Sequence, residues 1–303
     1  MTTATYQPEI KIKKKSNWTV SQIILVAVIF VFVLTCVMPF LNVIAISLSS
    51  KSAILRGDVS FWPVEFETKA YEILFADKSM VNCLFYTVQL TVIYTALAMV
   101  MTILMAYPLT KKRLVGRKFF SFLALFTMYF SGGTIPIYLN VKDFGLLDSM
   151  WSLIIPGLVS TYNMIIMKSF FASLPQELEE AATIDGANDF QILLQVFLPL
   201  SLASIATLTL FYAVGKWNSF ADAKYYIQTK ALQPLQLRLY NIIKGSTAVD
   251  VTAIEGNANS NAQNVSESIE AATIIFATLP ILVVYPFVQR YFVSGVTIGA
   301  VKG

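Results

Sequence analysis

The sequence predicts an all-α, polytopic membrane protein: six transmembrane helices in one bundle, with the N and C termini cytoplasmic. Three observations carry this. Of 303 residues, 56% are apolar and only 13% charged, about half the charged share of a soluble domain, and the mean hydropathy is +0.65. Six stretches stay apolar for the roughly 20 residues that a hydrocarbon crossing takes. Lys and Arg collect beside alternate ends of those stretches, as the positive-inside rule requires. Length alone would permit about two soluble domains, but hydropathy argues for a single membrane unit.

The predicted spans are residues 20–46, 84–109, 119–138, 150–171, 198–215 and 271–288. The first has too long an apolar run for a cleaved signal peptide and lacks a small-residue cleavage site, so it reads as an anchor. Lys11, Lys13, Lys14 and Lys15 precede it; Lys111, Lys112, Arg113, Arg117 and Lys118 separate spans two and three; Arg290 and Lys302 follow span six. These positions mark the cytoplasmic side. The chain therefore divides into a cytoplasmic segment 1–19, a six-helix membrane domain 20–290 and a cytoplasmic tail 291–303. Two long segments face outward, residues 47–82 and 216–270. The first carries Phe61-Trp62-Pro63 and then a short helical pattern over 69–75. The second ends in an Asn- and Ser-rich run, 256–270, that reads as a loop. The triplet Asn264-Val265-Ser266 matches a glycosylation acceptor by chance frequency alone.

Several chemistries are disfavoured at this stage. The chain has no His, which removes the usual general base and the commonest metal ligand, and no catalytic or metal-binding residue is predicted. Cys36 and Cys83 lie in or beside apolar stretches without paired spacing, as small hydrophobes do. The net charge of +4 follows membrane topology and does not point to nucleic acid. Within the spans Lys168 is the ionisable exception. A charge at mid-bilayer costs at least about 2.5 kcal/mol and usually couples ions or binds ligand, so this scarcity argues against a proton- or sodium-coupled carrier. Pro39, Pro108, Pro136, Pro156 and Pro280 interrupt the spans, either as packed kinks or as pore-lining breaks.

The most informative stretch is residues 173–199, between spans four and five. Ser173 can cap a helix, Pro175 suits its first turn, and Gln176 occupies a capping-box position. Leu174, Leu178, Ala181 and Ala182 fall along one face, with Glu177 and Glu180 on another. Asp185-Gly186 ends the helix, and a second helical run from Asp189 to Phe197 leads to Pro199. Such a short amphipathic helix is either a solvated loop helix or a docking element. Its acidic face would repel anionic headgroups, so a protein partner suits it better than the membrane surface.

Glu180-Ala-Ala-Thr-Ile-Asp-Gly-Ala187, with Pro199 twelve residues beyond Ala187, resembles the "EAA" loop of binding-protein-dependent ABC importer permeases. Further likeness to the carbohydrate-importing, maltose-type branch lies in Trp62-Pro63 with its following helix and in the ending, Gln289 to Gly303. Ser131-Gly-Gly-Thr-Ile-Pro-Ile-Tyr138 and Phe144-Gly-Leu-Leu147 resemble a subgroup that imports complex oligosaccharides. Coverage is nearly complete from about residue 15. Ala203 departs from the pattern where many relatives carry a second proline.

The resemblance implies a type I ABC importer permease fold in a bacterial plasma (inner) membrane. Glu180, Ala181, Ala182, Asp185, Gly186 and Ala187 would form a coupling helix seated on an ATPase subunit. Glu180 would make polar contact, the alanines would pack closely, and Asp185-Gly186 would fix the turn. Implied partners are a second homologous permease, two ATPase subunits, an extracytoplasmic solute-binding protein, a sugar or oligosaccharide and the lipid bilayer. The tail from Tyr291 is expected near the ATPase. The chain has no G-x4-G-K-[ST] phosphate loop, so ATP and Mg belong to the partner ATPases and no cofactor to this chain.

Tyr138, Tyr162, Asn163, Trp217 and Asn218 are candidates for the substrate path, because aromatic faces and amides bind sugars. Interfacial anchoring and helix packing are the competing roles. Scarce charge favours a neutral substrate, though a partner subunit could supply cations for uronates. A permease for spermidine, phosphate or amino acids, and an ion-coupled carrier or membrane enzyme, are the rival functions.

Overall fold

The computed structural model describes residues 19–254 and 267–286. The basic N-terminal residues Lys11 to Lys15, the triplet at Asn264, most of the polar run 256–270, Arg290, Lys302 and the tail from Tyr291 lie outside the described residues. Helices dominate, and one antiparallel bridge, Ser49 to Phe66, is the only β pairing among the described residues.

In chain order, α1 (Val20–Ser47) leads to a connecting segment containing α2 (Lys51–Leu55) and α3 (Lys69–Ala76), the last where the sequence predicts a helix. The longest helix, α4 (Lys78–Thr110), follows. Then come α5 (Arg117–Tyr129), α6 (Thr134–Asp143), α7 (Met150–Ile154) with a 3-10 turn (Ile155–Gly157), and α8 (Thr161–Phe171). The loop helix is α9 (Gln176–Ile184). Next are α10 (Asp189–Ile192), a π-helical segment (Leu193–Phe197), α11 (Leu198–Leu200) and α12 (Leu202–Trp217). A second connecting segment holds α13 (Ala221–Tyr226) and α14 (Leu235–Ile254), and α15 (Glu267–Pro286) completes the described chain.

Among the described residues, only α1, α4 and α15 are long and apolar enough to cross a membrane alone; three bent pairs bring the number to as many as six. Three of the predicted spans are thus broken helices. The third breaks by 113° between α5 and α6, where Ser131-Gly132-Gly133 interrupts the helix and Gly133 takes φ +88°. The fourth bends by 50° before α8. There the ring of Pro156 opposes the carbonyl of Ser152 and removes one amide donor. The fifth is met by the pair Asp189–Leu200 and Leu202–Trp217, bent by 84° just after the π-helical segment and Pro199, both known causes of sharp kinks.

The spine is α4, about 50 Å long at 1.5 Å per residue. Thr87, Thr91, Thr95, Ala98, Thr102 and Ala106 form a buried stripe of small side chains along it. In lipid, where apolar surface alone does not drive association, such stripes let helices approach closely. Against one half pack Met164, Met167 and Phe171 of α8, Phe197, and Leu208 and Tyr212 of α12. Thr102 Oγ1 and Tyr212 OH are 2.6 Å apart. Against the other half sit Val141, Leu153, Ile154, Tyr226 and Leu237, and Thr87 Oγ1 accepts the amide of Leu235 at 2.8 Å. By contrast, α1 is exposed from Val20 to Leu41.

The bends need local partners. Gly157, at the α7–α8 break, leaves room for Tyr94: a Cβ there would lie 3.2 Å from the Tyr94 hydroxyl, which donates to the Gly157 carbonyl at 2.8 Å. Lys216, expected just beyond the fifth span, is inside α12 and 8% exposed. Its ammonium donates to the Leu153 carbonyl and lies 4.7 Å from the Tyr94 ring centre. It is a second interior cation beside Lys168, which donates to Ser121 Oγ at 3.0 Å. Each gives an ammonium proton to an oxygen of a neighbouring helix. Cys36 and Cys83 are free thiols.

The connecting segments are knitted by carboxylates. Glu65, at φ +53°, accepts from Ser50, Ser52 and Arg56, which together hold its carboxyl down at about 2. Asp148, at φ +55°, takes the amides of Gln228 and Thr229 at 2.9 and 2.8 Å and the Thr229 hydroxyl at 2.6 Å. The α6–α7 loop is thereby tied to the strand of chain after α13, and the Thr229 bonds lower the Asp148 pKa. A carboxyl with a lowered folded pKa adds stability above its unfolded value, about 3.9, and loses it as pH falls through the folded value. Asp148→Ala should therefore lower the melting temperature of the solubilised protein more than Asp148→Asn, which still tolerates a positive φ. The parent's advantage over Asp148→Ala should shrink below about pH 3.9. Equal melting temperatures for all three proteins would remove the clamp.

Candidate functional site

The helix α9 starts at Gln176, directly after Pro175, without a side-chain cap. This corrects the expected cap: Ser173 Oγ instead donates to the Phe170 carbonyl at 2.7 Å, closing the end of α8. The capping box exists one helix later. Asn188 Oδ1 accepts the Gln191 amide, and Gln191 Oε1 accepts the Asn188 amide, both at 2.9 Å.

The stop at Asp185-Gly186 forms as predicted. Gly186 takes φ +84°, its amide reaches the Thr183 carbonyl, and the Ala187 amide reaches the Ala182 carbonyl, each at 3.0 Å. This is the Schellman arrangement, in which a left-handed residue satisfies the last carbonyls. A Cβ at Gly186 would meet nothing within 4 Å, so backbone conformation alone favours glycine there.

The faces of α9 divide differently from expectation. Leu174, Ala182 and Ala187 pack inward on the chain's own core. Leu178, Glu180, Ala181, Ile184, Asp185 and Gly186 are exposed, Ile184 by 86%. Consecutive residues sit about 100° apart on a helix of 3.6 residues per turn, and Ala181 is exposed while Ala182 is half-buried against the core. Glu180 makes no ion pair among the described residues.

The inner side of α9 is fixed by residues that the sequence marks only as topology signals. Lys111 caps the end of α4 and is 9% exposed. Its Nζ lies 2.7 Å from Glu179 Oε2, an ion pair whose approach is off the hydrogen-bond direction. The ammonium also sits 4.1 Å from the ring centre of Tyr107 and 4.3 Å from that of Phe197. These rings meet edge-to-face at 5.1 Å, and Phe171 joins both at 6.3 and 5.6 Å. Cation–π contacts reach about 2 kcal/mol when desolvated, so Lys111 is held by two rings and one carboxylate. Two residues on, Arg113 pairs with Asp189 of α10, both well exposed. Surface pairs of that kind contribute about 0–1 kcal/mol. Opposite charges in the segments 111–113 and 179–189 were the sequence signal for this pairing; counting the basic residues for topology alone passed over it.

The substrate-path candidates are dispersed. Tyr138, half-buried on α6, stacks on Tyr226 with centroids 6.2 Å apart. Tyr162 is exposed in the first turn of α8 and Asn163 is buried beside it. Trp217 is buried and donates to the Ala277 carbonyl at 3.1 Å. Asn218 is exposed and donates back to the Val214 carbonyl at 3.0 Å.

Residues 79–298, spanning the spine, α9 and α15, match the family described as binding-protein-dependent transport system inner membrane component. The chain is 42% identical over 275 residues to the polygalacturonan/rhamnogalacturonan transport system permease protein YtcP of Bacillus subtilis, covering 91% of this chain and 96% of that one. Protein LplC of the same organism is also 42% identical, over 88% of this chain and 90% of its own. A solved bacterial ABC transporter involved in import of the acidic polysaccharide alginate superposes with a TM-score of 0.81 at 31% identity. That match covers 92% of this chain and all of the other. A bent-span helical fold with a short helix strapped beneath its spine, matched over most of its length in this way, belongs to the binding-protein-dependent transport system inner membrane component family.

Proposed function

We propose that the chain is a permease subunit of an ATP-driven importer that receives oligosaccharide from an external binding protein and passes it across the bacterial inner membrane. The observation that carries this is the division of α9. Its inner face is pinned to the bundle by Glu179, Ala182 and Ala187, while Glu180, Ala181, Ile184 and Asp185 are left uncovered. A helix anchored on one side and bare on the other is suited to receive a partner and to pass on its displacement. ATP and Mg act on that partner, an ATPase subunit, because this chain carries no phosphate-cradling loop of its own.

The positive-inside rule supports a cytoplasmic location for α9. Lys111, Lys112, Arg113, Arg117 and Lys118 belong to the same end of the bundle, as the Lys111–Glu179 contact requires. With six crossings, both termini share that side. A second permease with two ATPases completes a sugar-sized path, which one bundle cannot enclose alone. In this assembly Glu180 gives polar contact to the ATPase, Ala181 allows close approach, Ala182 and Ala187 seat the helix on its own bundle, and Asp185-Gly186 fix its end.

For the cargo, we infer a uronate-bearing oligosaccharide. Names of the relatives support this, since one is a polygalacturonan/rhamnogalacturonan transport permease and another an importer of acidic alginate. The candidate contacts are Tyr138, Tyr162, Asn163, Trp217 and Asn218, of which Tyr162 and Asn218 are exposed.

Two experiments test these statements. Gly186→Val places a β-branched residue at a positive φ, a strain of roughly 1–2 kcal/mol. It should weaken ATPase co-purification and stimulated hydrolysis without lowering membrane levels, with Gly186→Asn closer to the parent. Normal stimulation in Gly186→Val would count against docking through α9. In whole cells, labelled oligogalacturonide uptake should be competed by unlabelled uronate oligosaccharides and left intact by spermidine, phosphate or amino acids. Competition by one of those solutes instead would overturn the sugar assignment.

A further inference from the structure

The outer face of α9 explains how a partner is met, but not how its displacement reaches the membrane bundle. Apart from chain connections at Pro175 and Gly186, α9 buries no residue completely. Its apolar links inward, through Leu174, Ala182 and Ala187, are short side chains or half-buried ones. Such contacts can slide. The Lys111–Glu179 pair cannot slide without separating a 2.7 Å ion contact and lifting an ammonium from two ring faces. Lys111 is also the C-terminal cap of α4, the spine that reaches the far side of the bundle.

We propose that Lys111 and Glu179 form a strut that couples α9 to α4, with Tyr107 and Phe197 as its seat. The two residues are positioning residues: neither contacts cargo or nucleotide. The strut rests on the reading of α9 as the ATPase-docking helix. It adds that transmission, as distinct from docking, depends on this pair. Because Phe197 belongs to the π-helical segment leading into α12, the same cation also touches the root of the fifth span. A push on α9 is therefore delivered to α4 and α12 together, whose packing is closed further along by Thr102 and Tyr212.

The seat makes the strut directional in chemistry. A ring face carries negative potential and attracts a cation, so a carboxylate in place of Lys111 would be repelled even if its partner were made basic. Lys111→Arg should work; the charge-swapped double variant Lys111→Glu with Glu179→Lys should not.

The test uses the complete complex, with both permeases, the ATPases and the binding protein, in proteoliposomes. Stimulated ATP hydrolysis and uptake of labelled trigalacturonate are measured in the same vesicles, with a neutral pectic oligosaccharide as probe if the parent refuses the acid. Glu179→Gln and Lys111→Met should retain co-purifying ATPase and stimulated hydrolysis, while cargo moved per ATP falls about fivefold or more, the usual lower range of a lost coupling. Lys111→Arg should keep most of that ratio. A parental ratio in both Glu179→Gln and Lys111→Met would overturn the strut, as would loss of the ATPase from Glu179→Gln, which would assign the pair to docking. Full recovery in the charge-swapped variant would overturn the aromatic seat. Cross-linking from Ile184→Cys to the ATPase in the parent background separates the two levels: its absence sinks the docking reading, whereas its presence with unchanged ratios sinks the strut alone.

Discussion

Close packing along the small-residue stripe of α4 is the constraint on which the other elements depend. Leucines at Thr95, Ala98, Thr102 and Ala106 would push α8 and α12 outward, and in lipid no gain of apolar burial would draw them back. With threonine and alanine there, the neighbouring helices come close enough for the Thr102–Tyr212 contact at 2.6 Å and for Tyr94 to reach the carbonyl of Gly157. Two of the threonines also place their hydroxyls: Thr87 returns to the Cys83 carbonyl one turn earlier at 2.7 Å and Thr102 meets Tyr212, whereas those of Thr91 and Thr95 are buried without a partner among the described residues. One helix can then serve three sets of neighbours, the α8–α12 pair, the helices α7, α13 and α14, and the α3–α15 corner around Trp217.

A spine of this kind permits the breaks elsewhere. Helices bent by 50°, 84° and 113° free backbone groups that lipid cannot satisfy. The repair at the α7–α8 break comes from the spine and its neighbour: Tyr94 gives its proton to Gly157, and Lys216 gives one to Leu153. An interior lysine is then expected without any ion coupling. It stands where a helix has lost its own donors, and cations suit the carbonyl ends of helices. Scarcity of charge in the spans was the argument against a carrier; Lys216 does not weaken it, because its ammonium is already engaged by the chain.

Much of this was legible in the sequence, for identifiable reasons. Long apolar runs gave α1, α4 and α15 because burial in lipid and helix formation demand the same residues. The Asp185-Gly186 stop was legible because a left-handed residue has few substitutes for glycine. Ser173 misled because a serine ahead of a Leu-Pro pair satisfies a local rule, whereas here its hydroxyl closes the preceding helix through Phe170. The size of the bends in the third, fourth and fifth spans was not legible, because hydropathy counts residues and is blind to direction; Pro156 and Ser131-Gly132-Gly133 were the signals, and their local effect depends on what neighbours supply. Lys111 and Glu179 were hidden by distance. They are sixty-eight positions apart in sequence; Lys111 already had a sufficient local explanation as a topology charge, and Glu179 stood unremarked between the residues of the acidic face.

That last concealment bears on how a lever works at a membrane surface. A docking helix needs an exposed face that another protein can grip, and the same exposure deprives it of the burial that would make it rigid. Apolar anchoring would remove the exposed face; a mobile helix would absorb displacement instead of passing it on. A single buried cation avoids both outcomes, since it binds one carboxylate from the helix and two ring faces from the bundle while occupying little of the helix surface. The carboxylate chosen, Glu179, is the neighbour of Glu180 and points about 100° away from it, so adjacent residues of one acidic run face the bundle and open space respectively. Rigidity and accessibility are thereby assigned to consecutive positions of the same short helix.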